Sequence, residues 1–158
     1  MAVMNLLSRI LPLSNVVLDL AVTSKKRAFE QAGLIFENHH GIARTAVFHS
    51  LIARERLGST GFGGGVAIPH AKLPGLDRMC GVVVLLDPPA PFDAVDDAPV
   101  DVVFALLSPQ DSGAEHLKTL ARVSRYLRDE AQVTRLRGAK SAEALHALLA
   151  GGEARDAA

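Results

Sequence analysis

The chain has 158 residues, 49% of them hydrophobic, with 17 Lys and Arg against 17 Asp and Glu. That length and apolar content predict one domain with its own core and exclude whole-chain disorder. A formal net charge of zero argues against DNA or RNA as the main ligand, since nucleic-acid binders present a basic face.

At the N-terminus, Met1 to Leu13 has no basic leader and is broken by Ser8, Arg9 and Pro12, so it does not read as a signal peptide. Thr23 and Ser24 are candidate N-caps for a helix through Ala28, Phe29, Ala32, Leu34, Ile35 and Phe36, ended by Asn38 to Gly41. A second helix is predicted from about Ala43 to Leu57, with Gly58 as its C-terminal stop. Gly58 to Gly65 reads as a glycine-rich loop, followed by a short strand, Val66 to Ile68. Pro69 ends that strand because it has no N–H for the ladder, and His70 follows at the strand's mouth. Gly81 to Leu86 and Val100 to Leu107 are aliphatic, β-branched runs that predict two buried strands. Between them, Asp87 to Asp93 and Asp96 to Pro99 predict a stiff acidic loop. A long helix is expected from about Gly113 to Arg128, a weaker one over Ala131 to Arg137, and a last one over Ala142 to Ala150, capped by Ser141. Gly151 to Ala158 reads as a loose tail.

This succession predicts an α/β fold, a mixed sheet with helices on both faces, because continuous apolar strands need cover on each side. The expected organisation is one domain over 1–150 and a tail over 151–158. Cys80 is the single cysteine, so no disulfide can form within the chain, which fits a reducing compartment. Apolar runs such as Val82 to Leu86 are far too short to cross a bilayer. The expectation is a cytoplasmic chain with no membrane insertion.

Of six histidines, His70 has the most suggestive surroundings. Most histidines are surface or satisfied core residues, so position must argue for more. His70 follows a strand end on a rigid scaffold, Pro69 stiffens its approach, and five glycines lie in the twelve residues before it. Glycine N–H groups can cradle an anion, which makes Ser59, Thr60 and Gly64 candidate phosphate-binding or supporting residues. A neutral imidazole is nucleophilic near pH 7 and forms a labile phosphoramidate, and such transfer needs cationic or N–H donors nearby.

Two donors are in view. Arg54 shares a helix face with Val47 and Leu51, where it either reaches water or forks a phosphate. Ser112 to Glu115 fits a capping box, which places His116 in the first turn of a helix, at the anion-attracting end of its dipole.

The stretch Arg54 to Lys72, with Gly-Ser-Thr-Gly and then Ala-Ile-Pro-His, resembles the phosphorylation-site signature of phosphotransferase-system enzyme IIA domains of the fructose, mannitol and nitrogen-regulatory group. Pro99 to Leu107 and Glu115 to Ala121 are similar too, and the likeness spans about Leu6 to Ala150. It implies that His70 is the phosphoacceptor, with His116 its paired histidine and Arg54 its phosphate-side arginine. The implied donor is a small histidine phosphocarrier protein charged through an enzyme I. Leu57 to Gly61 looks most like the nitrogen-regulatory form, whose implied targets are potassium-transport or sensor-kinase proteins. A sugar-transport role, passing phosphate to a IIB partner, remains the other reading. No cofactor or metal is implied.

Other motifs are weaker. Gly61 to Gly65 precedes a strand instead of following one, so the dinucleotide-loop context is missing. Ser59 lacks the Gly-x-Ser-x-Gly spacing of a nucleophile elbow. Asp93, Asp96, Asp97 and Asp101 do not follow a calcium-loop spacing, and His39-His40 has no third metal ligand close in sequence.

Overall fold

The structure, a computed structural model, describes residues 6–157. In chain order the elements are α1 (Leu6–Ile10), a 3-10 turn (Leu13–Asn15), β1 (Val16–Leu20), α2 (Lys25–His40), α3 (Arg44–Glu55), β2 (Gly61–Gly63), β3 (Val66–Ala67), β4 (His70–Leu73), β5 (Cys80–Ala90), β6 (Val100–Pro109), α4 (Ala114–Leu127), α5 (Glu130–Arg137) and α6 (Ala142–Ala157).

The sheet is mixed, as expected, with strand order β1-β5-β6-β3-β2, and β4 also pairs with β6. β5 and β6 run antiparallel, as do β2 and β3, while β1 lies parallel to β5, and β3 and β4 lie parallel to β6. Alternation along β6 sends Val103, Ala105 and Leu107 to one face and Val102, Phe104 and Leu106 to the other. The first face packs on Phe29 and Phe36 of α2 and on Val47 and Leu51 of α3. The second packs on Leu7 and Ile10 of α1, Val123 and Tyr126 of α4, Leu136 of α5, and Leu145 and Leu149 of α6. Each buried side chain of this size contributes about 1.5–3 kcal/mol, so helices on both faces are what these strands require.

Several boundaries differ from the sequence expectation. Ser24, not Thr23, caps α2 by accepting from Arg27 N–H at 3.2 Å, and Gly41 (φ +69°) ends it beyond His40. α3 stops at Glu55 with Arg56 as its C-cap, so Gly58 is not the stop. β1, β2 and β4 join the sheet unannounced. Pro69 interrupts its strand without ending it: its carbonyl accepts from Leu106 N–H at 2.9 Å, and pairing with β6 resumes at His70. β5 runs on through Asp87-Pro88-Pro89 to Ala90, which is tolerated because the β5–β6 register breaks between Leu85 and Ala90. β6 likewise continues through Ser108 to Pro109. Ser141 caps α6 as expected, accepting from Ala144 N–H at 3.1 Å. The α6 backbone continues to Ala157, into the segment the sequence reads as a tail; Ala158 lies outside the described residues.

The glycine-rich loop is a β2–β3 hairpin whose turn, Gly63 to Gly65, has positive φ throughout. Gly65 has a second reason to lack a side chain: a Cβ there would lie 2.5 Å from Arg137 Nη2 and 2.9 Å from Asp101 Oδ1. Arg137 of α5 forks Asp101 at 2.7 and 2.8 Å and also donates to Gly64 C=O at 2.6 Å. The hairpin is therefore fastened to α5 and to the start of β6.

Candidate functional site

β4 is an edge strand, paired to β6 on one side alone among the described residues. Its alternation turns Ala71 and Leu73 into the first core cluster, so His70 and Lys72 fall on the opposite side. Arg54, in the last turn of α3, reaches the edge from the first face. His116, in the first turn of α4, approaches from the second. Three residues far apart in sequence thus meet at one strand end.

His70 Nδ1 lies 2.8 Å from Ile68 C=O, and Arg54 Nε lies 3.2 Å from His70 Nε2. A carbonyl can only accept, so the proton sits on Nδ1 and the Nε2 lone pair faces Arg54. Arg54 also donates through Nη1 to Gly58 C=O at 2.9 Å. The His70 and His116 rings have centroids 5.7 Å apart and are tilted by 46°. His116 Nδ1 lies 2.7 Å from Ser108 Oγ, and both residues are buried.

Both rings favour the neutral form. Burial pushes His70 below its ordinary value of 6.5; the Ile68 carbonyl opposes this, Arg54 adds to it, and Glu55 opposes it. Burial likewise lowers His116, with the His70 and Lys72 charges adding to the effect. A neutral ring with a bare nitrogen beside a guanidinium is a nucleophile next to an anion clamp.

Among the described residues, the other predicted residues make no hydrogen bond to this trio. Thr60 donates its hydroxyl to Glu55 Oε1 at 2.6 Å and its N–H to Oε2 at 3.0 Å. Ser59 donates to Phe92 C=O at 2.8 Å and accepts from Gly61 N–H at 3.1 Å. Gly64 sits on the hairpin turn, its N–H given to Asp96 Oδ2 at 3.0 Å. The expected capping box is absent: Gly113 is the N-cap of α4, and the buried Ser112 Oγ has no hydrogen-bond partner among the described residues. His116 keeps its first-turn place regardless.

Sequence reasoning missed Glu55, Ser108 and the Ile68 carbonyl. Glu55 is buried, takes both Thr60 donors, and meets Lys25 Nζ at 3.3 Å. Its signal was available, since 47, 51 and 55 share the buried face of α3. Ser108 gave none beyond continuing an apolar strand. Among the described residues, no three His, Cys, Asp or Glu side chains are grouped to hold a metal ion.

The family model for the phosphoenolpyruvate-dependent sugar phosphotransferase system, EIIA 2, matches residues 9–151. A curated relative, the nitrogen regulatory protein of Bradyrhizobium diazoefficiens, is 45% identical over 131 residues, 83% of this chain and 86% of that one. A more distant relative from Haloferax volcanii, described as the fructose-specific EIIA component, is 31% identical over 91% of this chain and 94% of its own. The crystal structure of nitrogen regulatory protein IIA-Ntr from Neisseria meningitidis superposes with a TM-score of 0.87 at 42% identity, covering 92% of this chain and 99% of that one.

Proposed function

The chain belongs to the phosphoenolpyruvate-dependent sugar phosphotransferase system EIIA 2 family, and from that membership we propose that it is a phosphohistidine carrier acting as a phosphorylation-dependent regulator in the cytoplasm. The donor is a small histidine phosphocarrier protein, and Nε2 of His70 accepts the phosphoryl group. The supporting observation is the bonding of one ring: Nδ1 is committed to Ile68 C=O, which leaves Nε2, whose lone pair faces the Arg54 guanidinium, as the nitrogen that can attack.

In the transfer, His70 Nε2 forms a bond to phosphorus as the bond from phosphorus to the donor histidine breaks, and the donor ring leaves with that electron pair. His70 keeps its Nδ1 proton, so its ring gains positive charge, and the Ile68 carbonyl stabilises that charge. Loose phosphoryl transfer depends on positioning and charge stabilisation. The Arg54 guanidinium forks two phosphoryl oxygens, and His116 stands beside the third. Glu55 and Thr60 hold α3 to the loop that leads toward Ile68 and His70. Ser59 and Gly64 support that loop and its hairpin instead of touching phosphate.

Phosphorylation adds a charge of about −1.5 to −2 at an exposed edge, enough to make or break a protein interface. The regulated targets in this reading are potassium-transport or sensor-kinase proteins, in keeping with relatives described as nitrogen regulatory proteins. Relay to a sugar-specific IIB protein is the second reading, favoured by the likeness to a fructose-specific component.

The test is incubation with phosphoenolpyruvate, enzyme I and the phosphocarrier. An acid-labile, base-stable phosphoryl group mapped to the peptide containing His70 is expected; an unlabelled protein overturns the reading. Rapid discharge to a purified sugar IIB protein would favour relay over regulation.

A further inference from the structure

Ser108 lies at the end of β6, fully buried, with its Oγ 2.7 Å from Nδ1 of His116. That separation is a good O–H···N or N–H···O distance, so geometry alone leaves two arrangements. Either the hydroxyl donates to a bare Nδ1, or a protonated Nδ1 donates to the hydroxyl oxygen.

The donor inventory separates them. Among the described residues, Nδ1 of His116 is the one hydrogen-bond partner of Ser108 Oγ. If Nδ1 carried the proton, the Ser108 hydroxyl hydrogen would be buried with no acceptor, at a cost of about 1–3 kcal/mol. If Ser108 donates, every polar hydrogen at the contact is used. A neutral imidazole carries one ring proton, so a bare Nδ1 places it on Nε2. No hydrogen bond is made by His116 Nε2 among the described residues.

We propose that Ser108 is a positioning residue that holds His116 as the Nε2–H tautomer, making it a hydrogen-bond donor to a phosphoryl group on His70. This rests on His70 being the phosphoacceptor. The two neighbouring rings then have opposite assignments. His70 carries its proton on Nδ1 and presents a lone pair at Nε2; His116 carries its proton on Nε2 and has its lone pair occupied by Ser108. One ring supplies the nucleophile and the other an N–H for the oxygen charge that develops during transfer. In the reverse tautomer, His116 would present a lone pair to phosphoryl oxygens and repel them. A group that fixes a histidine tautomer through its second nitrogen acts here as it does behind metal-bound histidines.

The test begins on the unmodified protein. Nitrogen-15 shifts and long-range couplings of the His116 ring at a pH above its titration are expected to show the Nε2–H form; a predominant Nδ1–H form overturns the proposal. In Ser108→Ala a mixture of tautomers is expected, with phosphoryl transfer through His70 slowed about fivefold, the scale of one neutral hydrogen bond. Ser108→Thr retains the hydroxyl and is expected to restore both signals. An unchanged tautomer in Ser108→Ala, or a changed tautomer with unchanged transfer, overturns the role of Ser108. Failure of the unmodified protein to accept phosphate overturns the carrier reading instead, while the tautomer result stands by itself.

Discussion

Two pairs of histidines lie near the ends of secondary-structure elements, His39 and His40 closing α2, His70 opening β4 and His116 in the first turn of α4, and their surroundings set them apart. His40, beside the exposed His39 at the end of α2, places Nε2 2.6 Å from the amide nitrogen of Asn15. Asn15 is fully buried, and that same nitrogen donates to Gly81 C=O at 2.9 Å. The reactive nitrogen of His40 is thus consumed by a group locked into the sheet. His70 has one nitrogen fixed by backbone, but its other nitrogen meets the long Arg54 side chain at a strand edge. Both rings have depressed proton affinity, so that property alone does not single out a functional histidine. What separates them is whether the free lone pair faces an immobile partner or a displaceable one.

The largest expected effect breaks the comparison outright. His70→Ala abolishes phosphate incorporation, whereas His40→Ala keeps it, both read by intact mass spectrometry; labelling at full yield in His70→Ala would reject the assignment. Next, Asn15→Ala leaves the Gly81 carbonyl and His40 without their buried donor and lowers stability by about 2 kcal/mol. Urea unfolding measures this, and phosphate uptake at low denaturant stays normal. A smaller change separates fork from charge: Arg54→Lys slows phosphoryl transfer about tenfold, because a point charge cannot hold two oxygens in one plane. Single-turnover kinetics that match the unmodified protein would mean that Arg54 does not touch the phosphate.

The mildest effect is in pH and acts on both pairs. His40, His70 and His116 all lie below 6.5 when folded, with burial as the leading cause. The unfolded chain therefore binds more protons once pH falls below that value. Stability is full above it and is lost progressively as pH falls toward the folded values. A urea midpoint that rose on acidification through this window would contradict the sign.

Much of this was legible in the sequence, for physical reasons that also mark where legibility stopped. The helices were readable because Ser24, Ser141 and the spacing of apolar residues obey local rules. β5 and β6 were readable because strands covered on both faces become continuous apolar runs. β1 was not, since Asp19 at φ +56° breaks its pattern. β4 was hidden by Pro69, whose missing N–H suggests an end, although its carbonyl keeps the strand on β6. The candidate site was legible at His70 because glycine and proline crowd the chain before it. Arg54 and His116 were legible as candidates, but their meeting depends on β4 being an edge that two helices approach from opposite faces. Gly64 attracted attention as an anion cradle, while the hairpin's glycines answer instead to Asp96, Asp101 and Arg137.

The bond between Arg54 Nε–H and His70 Nε2 has one more consequence. The guanidinium sits where an incoming phosphorus atom would have to be, so the resting ring is corked. Attack requires the arginine to swing off the nitrogen, and an anionic group offers it somewhere better to go, whereas a neutral electrophile offers nothing in exchange. In the proposed transfer, the side chain that would grip the phosphoryl group thereby also screens what reaches His70 beforehand.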